Sequence, residues 1–172
     1  MPPSVTITFE DSHWRASLPR LKSLTERAVL AALRHEKWSR KNLVINVILS
    51  SDAKVRVLNR TWRGKDKPTN VLSFPVEEPH MKVPRGRPRH LGDIVLARQT
   101  LLREAKAEGK KLAHHYQHLL VHGTLHLFGH DHLTDAEADV MEAREVRILA
   151  GLQVPNPYAS TNGTEPLQWR HR

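Results

Sequence analysis

Apolar and polar positions along the chain change period several times, and the changes mark its elements. Ser4–Glu10 (SVTITFE) alternates and is rich in β-branched residues, which predicts a strand. Between Leu18 and about Glu36, Leu21, Leu24, Ala28, Leu30 and Ala31 recur at helical spacing, predicting an amphipathic helix. Leu43–Ser50 (LVINVILS) is a short, nearly continuous apolar run, the signature of a buried strand. Asp52 is placed to cap a helix through Trp62, with Val55, Leu58 and Trp62 on its inward side and Gly64 at its end.

Thr69–Pro75 (TNVLSFP) predicts a strand stopped by proline. Val76–His90 is proline-rich and basic without periodicity, so it reads as a loop, and Leu91–Ala97 (LGDIVLA) as the next strand. A helix then runs to about Glu108 and breaks at Gly109, and another runs from about Lys111 to Phe128. Thr134 and Glu137 have the spacing of a capping box opening a last helix through about Leu149. The order β-α-β-α-β-β-α-α-α predicts an α+β fold, a small mixed β-sheet packed by about five helices. We expect a single domain over residues 1–154 and a flexible tail over 155–172, where no pattern continues.

Composition narrows the chemistry. With no cysteine, neither disulfides nor thiolate ligands are available, so a metal must be held by His, Asp or Glu. The N-terminus lacks the pattern of a signal peptide, and no apolar run is long enough to span a bilayer, so a soluble, cytoplasmic protein without membrane partners is expected. The formal charge is +9, and it is uneven: through Leu133 there are 23 Lys and Arg against 12 Asp and Glu. That excess favours a polyanionic partner, nucleic acid above all.

The histidines carry the chemistry. In HGTLHLFGHDH (His122 to His132), His122 and His126 are four apart and share a helix face. Gly129 tolerates the left-handed turn that ends a helix, so the chain can swing His132 back to the same point; His130 is the rival third ligand. Three neutral imidazoles leave a fourth position open, the arrangement of a catalytic zinc site at a helix end. The spacing resembles the H-E-x-x-H of zinc peptidases, but Gly123 stands where their general base would be. His118, a turn earlier, either hydrogen-bonds a ligating imidazole or is a plain helix residue, and Asp131 either does the same or caps the turn. His114 and His115 are expected to face solvent or nucleic acid.

These residues resemble a known family. HGTLHLFGHDH is similar to the H-G-x-L-H-L-x-G-y-D-H signature of the YbeY endoribonucleases, bacterial rRNA maturation factors. WRGKDKPTNVLSFP (Trp62–Pro75) and LGDIVL (Leu91–Leu96) resemble two further blocks of that family, in matching order, and the similarity spans roughly Val5 to Gly151. His130 stands where the family often has Tyr, and the basic loop and the tail depart from its pattern. The resemblance implies a single-strand-specific, zinc-dependent endoribonuclease acting at the 3′ end of 16S rRNA and in ribosome quality control. It implies one zinc per chain on His122, His126 and His132, Arg63 as a functional arginine, and rRNA, the small ribosomal subunit and ribosome-associated proteins as partners.

From the residues themselves, Arg63 offers a bidentate fork to a phosphate or is a surface arginine at a helix end. Lys65 and Lys67 extend a basic rim. Asn70 either binds substrate or makes the turn before its strand, and Ser73 either faces the cleft or points outward. Asp93 either reaches the site or caps a strand end. Arg85, Arg87 and Arg89 either track an RNA backbone or form a solvated charge run. The competing functions are a zinc hydrolase with a non-RNA substrate and a non-catalytic rRNA-binding assembly factor.

Overall fold

In the computed structural model, which describes residues 1–159, the elements run β1 (Ser4–Phe9), α1 (Trp14–Ser17), α2 (Leu21–His35), β2 (Leu43–Ser50), α3 (Asp52–Arg63), β3 (Val71–Pro75), β4 (Arg89–Ala97), α4 (Arg98–Glu108), α5 (Leu112–Leu127) and α6 (Asp135–Gly151). The strands form one mixed sheet in the order β1-β2-β4-β3. β1, β2 and β4 are parallel, and β3 pairs antiparallel with β4 as the sheet's edge. The α+β expectation holds, with a sixth helix. That addition is α1, a single turn too short to show a period, which seats the fully buried Trp14. The Trp14 indole donates to Ser50 O at 2.8 Å and its ring lies against Tyr116.

Alternation sorts the sheet's two faces. Leu43, Ile45, Val47 and Leu49 of β2, with Ile94 and Leu96 of β4, pack beneath α2 and α5 in the main core. The opposite face carries a smaller cluster, Leu72, Val95 and Ala97 with Val55 of α3, and Ile48, Leu58 and Phe74 at its margin. α5 is buried almost all round, from His115 to Leu125, which explains why its hydrophobic pattern is uniform rather than one-sided. Among the described residues no helix is long and apolar enough to cross a membrane.

Several element ends differ from expectation for identifiable reasons. Ser51, not Asp52, caps α3, its hydroxyl accepting from Lys54 N. The Asp52 carboxylate is instead taken by Thr100, through N at 2.9 Å and Oγ1 at 2.8 Å, and by Arg103, which ties α3 to the start of α4. Thr134 caps α6 as its spacing predicts, while Glu137 reaches Leu133 N, one residue before the usual box partner. Within the segment expected to be a flexible tail, Pro157 and Tyr158 reach back to the helices. Lys110 Nζ donates to Pro157 O at 2.7 Å, and the Tyr158 hydroxyl meets Glu145. The remainder of the expected tail, 160–172, lies outside the described residues.

Asp11 fastens the N-terminal segment to the start of α4 through Arg98 Nε at 2.7 Å and accepts from His13 N at 2.9 Å. Burial works to raise its pKa, but the Arg98 and His13 hydrogen bonds outweigh that and lower it to about 2 from 3.8. A carboxyl depressed by folding stabilises above its unfolded pKa and loses that contribution as pH falls through the folded value. The stability gap between wild type and Asp11→Asn should therefore be full above about pH 4 and shrink toward about pH 2. Urea unfolding across that range checks it, and a gap independent of pH would contradict the assignment.

Candidate metal centre

α5 ends at a cavity of about 420 Å³ whose wall includes His122, His126, His132 and Arg63. The four-residue spacing puts His122 and His126 on the same side of the helix, with ring centroids 4.5 Å apart. Their Nε2 atoms face one another at 3.0 Å. Gly129, at φ +87°, turns the chain, and His132 returns with its ring 5.5 Å from His122 and 5.1 Å from His126. One ligand nitrogen from each ring lies within 4.8 Å of the other two, so the cluster can hold a metal ion. His130 is turned elsewhere, its Nε2 paired with Glu36 Oε1 at 2.7 Å.

Burial favours the neutral form of two of the donors. Burial, and then the neighbouring imidazoles of His122 and His132, lower the pKa of His126 to about 3. Burial, and then the His122 imidazole, also lower that of His132. Neutral rings keep the lone pairs that a cation needs. Two imidazole nitrogens converging at hydrogen-bond distance satisfy each other only if a proton or a cation lies between them, and an uncharged nitrogen-donor set of this kind suits zinc.

A carboxylate absent from the sequence candidates lies beneath the cluster. Glu145 of α6 is fully buried and accepts from His122 Nδ1 and, at 3.2 Å, from His118 Nε2. An ionised carboxylate only accepts, so His122 must carry its proton on Nδ1 and present Nε2 to the cavity. Burial would raise the Glu145 pKa, but the His122 and His118 imidazoles outweigh it and keep the group ionised. The one available signal was its position, an acid within the buried stripe Met141, Glu145, Ile148 and Leu149. His118 touches the site through this carboxylate and through Tyr158, 3.1 Å away. Asp131 takes the turn-capping role, its Oδ1 accepting from His132 N at 2.8 Å. Glu145→Ala should keep the fold and weaken metal binding about 10- to 100-fold. Competition with a chromogenic chelator measures this, and an affinity equal to wild type would remove Glu145 from the site.

Gly123 has a packing explanation. A Cβ there would lie 2.9 Å from Ile94 Cγ2 and 3.0 Å from Ser73 Oγ, since α5 rests directly on β3 and β4. The position faces the sheet, so a glutamate base would have neither room nor the correct direction. Ser73 borders the cavity and donates to Gly123 O at 3.0 Å, securing that close approach.

The other sequence candidates divide. Arg63, the last residue of α3, borders the cavity, with Nη1 3.3 Å from Asn59 Oδ1. Asn59 also donates to Lys67 O and so shapes the loop that carries Lys65 and Lys67. Asn70 borders the cavity too, but its amide is spent on Glu104 at 3.0 Å and on Val71 N at 2.7 Å, which makes it a turn anchor. Arg85 is exposed, whereas Arg87 pairs with Glu77 at 2.6 Å. Arg89 is not available to track RNA. It is 9% exposed, donates to Glu78 O and Met81 O, and lies over the Trp38 ring, so it pins the basic loop from within. Asp93 meets Asn46 and His90 rather than the histidine cluster. His115, expected outside, is buried against Glu104 at 3.0 Å, and His114 is half-buried. Trp62, expected inside, is 70% exposed because the sheet beneath α3 is filled by Val55 and Leu58.

A family model described as Endoribonuclease YbeY matches residues 6–153. A protein of that name from Rhodopseudomonas palustris (strain BisA53) is 47% identical over 159 residues, 92% of each chain. One from Azorhizobium caulinodans is 49% identical, covering 90% of this chain and 96% of its own. One from Chelativorans sp. (strain BNC1) is 52% identical over 139 residues, covering 81% and 83%. A Thermotoga maritima protein solved in solution shares the fold at a TM-score of 0.52 and 23% identity, over 94% of this chain and 99% of its own.

Proposed function

The chain belongs to the endoribonuclease YbeY family, and from that premise we propose that it is a zinc-dependent endoribonuclease cleaving single-stranded RNA, with rRNA maturation in the cytoplasm as its setting. The observation that carries this reading is the convergence of three imidazoles and one arginine on the same cavity. His122, His126 and His132 hold the ion, and Arg63 receives the phosphate.

When bound, zinc supplies positive charge that polarises a phosphoryl oxygen and acidifies water. The chain's residues do the rest. Glu145 fixes the tautomer of His122 so that its Nε2 lone pair is presented to the cavity, where it would serve as a ligand. Arg63 offers two parallel N–H donors to the non-bridging oxygens of the phosphodiester, holding it near the histidines and balancing charge that develops on it. Asn59 sets where that guanidinium points. Position 123 supplies no base, and RNA brings its own potential nucleophile in the 2′-hydroxyl. The basic balance through Leu133 attracts a polyanion, and the 16S rRNA 3′ end within the small subunit is the substrate the family resemblance implies.

Incubating the purified protein with single-stranded and duplex RNA, with and without a chelator, tests the reading. Cleavage confined to single strands and abolished by chelation is expected. RNA left intact by folded, metal-loaded protein that still binds it would favour the assembly-factor alternative.

A further inference from the structure

Resting on that reading, we propose that Trp62 is a stacking platform for one unpaired nucleobase of the RNA, and that this contact contributes to the preference for single strands. A tryptophan held 70% exposed forgoes much of the stabilisation that burial would give it. Its ring is nonetheless positioned, meeting the Phe74 ring edge-on with centroids 6.3 Å apart. Arg63, the next residue along α3, borders the cavity, and so do Ser73 and Pro75 on either side of Phe74, while the alternation of β3 turns the Phe74 ring to the α3 face of the sheet. Trp62 therefore stands across the edge strand β3 from the histidines.

Its surroundings select the occupant. Arg63 closes α3 and Lys65 and Lys67 follow on the loop, where the intervening Asp66 is paired by Arg56 and Arg60, so the aromatic surface lies beside net positive charge. An aromatic face flanked by basic side chains is how proteins engage single strands, with charges following the backbone and rings receiving bases. A phosphate at Arg63 brings an adjoining base within reach of the neighbouring side chain. In a duplex each base already has both faces covered, so Trp62 can be satisfied only by a base that is unstacked.

The test uses the zinc-loaded full chain and a fluorescent 2′-O-methyl oligonucleotide, confirmed intact by gel after each titration. Trp62→Ala should weaken binding by about tenfold, and Trp62→Phe should restore most of it. Abasic substitution at successive positions should weaken wild-type binding sharply at one position and leave Trp62→Ala indifferent there. Binding to the matched duplex should be the same for both proteins. Equal affinity of wild type and Trp62→Ala for the single strand would overturn the proposal, as would an abasic penalty that survives in the variant. Because the readout is binding, loss of the cleavage reading alone would leave this result interpretable.

Discussion

Replacing His126 with alanine is expected to abolish metal binding and RNA cleavage while leaving the metal-free protein folded. Wild type should purify with about one zinc per chain and the variant with almost none. Altering a residue that merely orients a ligand costs about 10- to 100-fold, so removing a ligand should cost more than about a hundredfold in both affinity and rate. The metal-free fold should tolerate the change. His126 is only half-buried at the cavity, and its loss relieves the convergence of its Nε2 on that of His122 at 3.0 Å. Linkage supplies a second readout. A ligand that binds only the folded state raises its stability, by about 4 kcal/mol at a thousand times its Kd. Added zinc should therefore raise the melting temperature of wild type and not that of the variant. Undiminished zinc stoichiometry in His126→Ala would refute the site.

Arg63→Glu should separate the metal from the reaction. The guanidinium is exposed at the end of α3 and borders the cavity, and its described hydrogen bond is to Asn59. A glutamate there faces an unfavourable helix dipole, a cost of about 0.3–1 kcal/mol, so the fold and the zinc content should both survive. Cleavage should fall about a hundred- to a thousandfold or more, the usual consequence of losing one charge-stabilising donor, because a carboxylate also repels the phosphate. Arg63→Lys should retain part of the rate, since it keeps the charge and loses the fork. Cleavage by Arg63→Glu within twofold of wild type would end the arginine's assigned role.

What the sequence made legible was local. β2 runs over Leu43–Ser50 as read, and α3, α4 and α5 end within a residue of their predicted stops at Gly64, Gly109 and Phe128. The His122, His126 and His132 cluster could be drawn from a four-residue spacing and a glycine. What stayed hidden depends on partners from other elements. Trp62 has the spacing of a core residue, and only the extent of the sheet under α3 leaves it outside. Arg89 reads as one of three loop arginines, yet the carbonyls of Glu78 and Met81 draw it inward. His115 is buried because Glu104 meets it there. Glu145 acquires its role only from the packing of α6 against α5, which brings it to His118 and His122. Gly123 was legible as a missing base but not as a packing contact, since Ile94 and Ser73 come from two other strands.

The linkage of Glu145 to His122 orders events during synthesis. The three histidines emerge from the ribosome nearly together, but the carboxylate that orients the first of them follows 23 residues later. Tyr158, which closes over that carboxylate, comes 13 residues later still. A nascent chain that has just exposed its histidine motif thus holds the donors without their support, and the site matures only once α6 and the segment after it have docked. A chain cut off before α6 would thus carry all three donors and lack the carboxylate that orients the first of them.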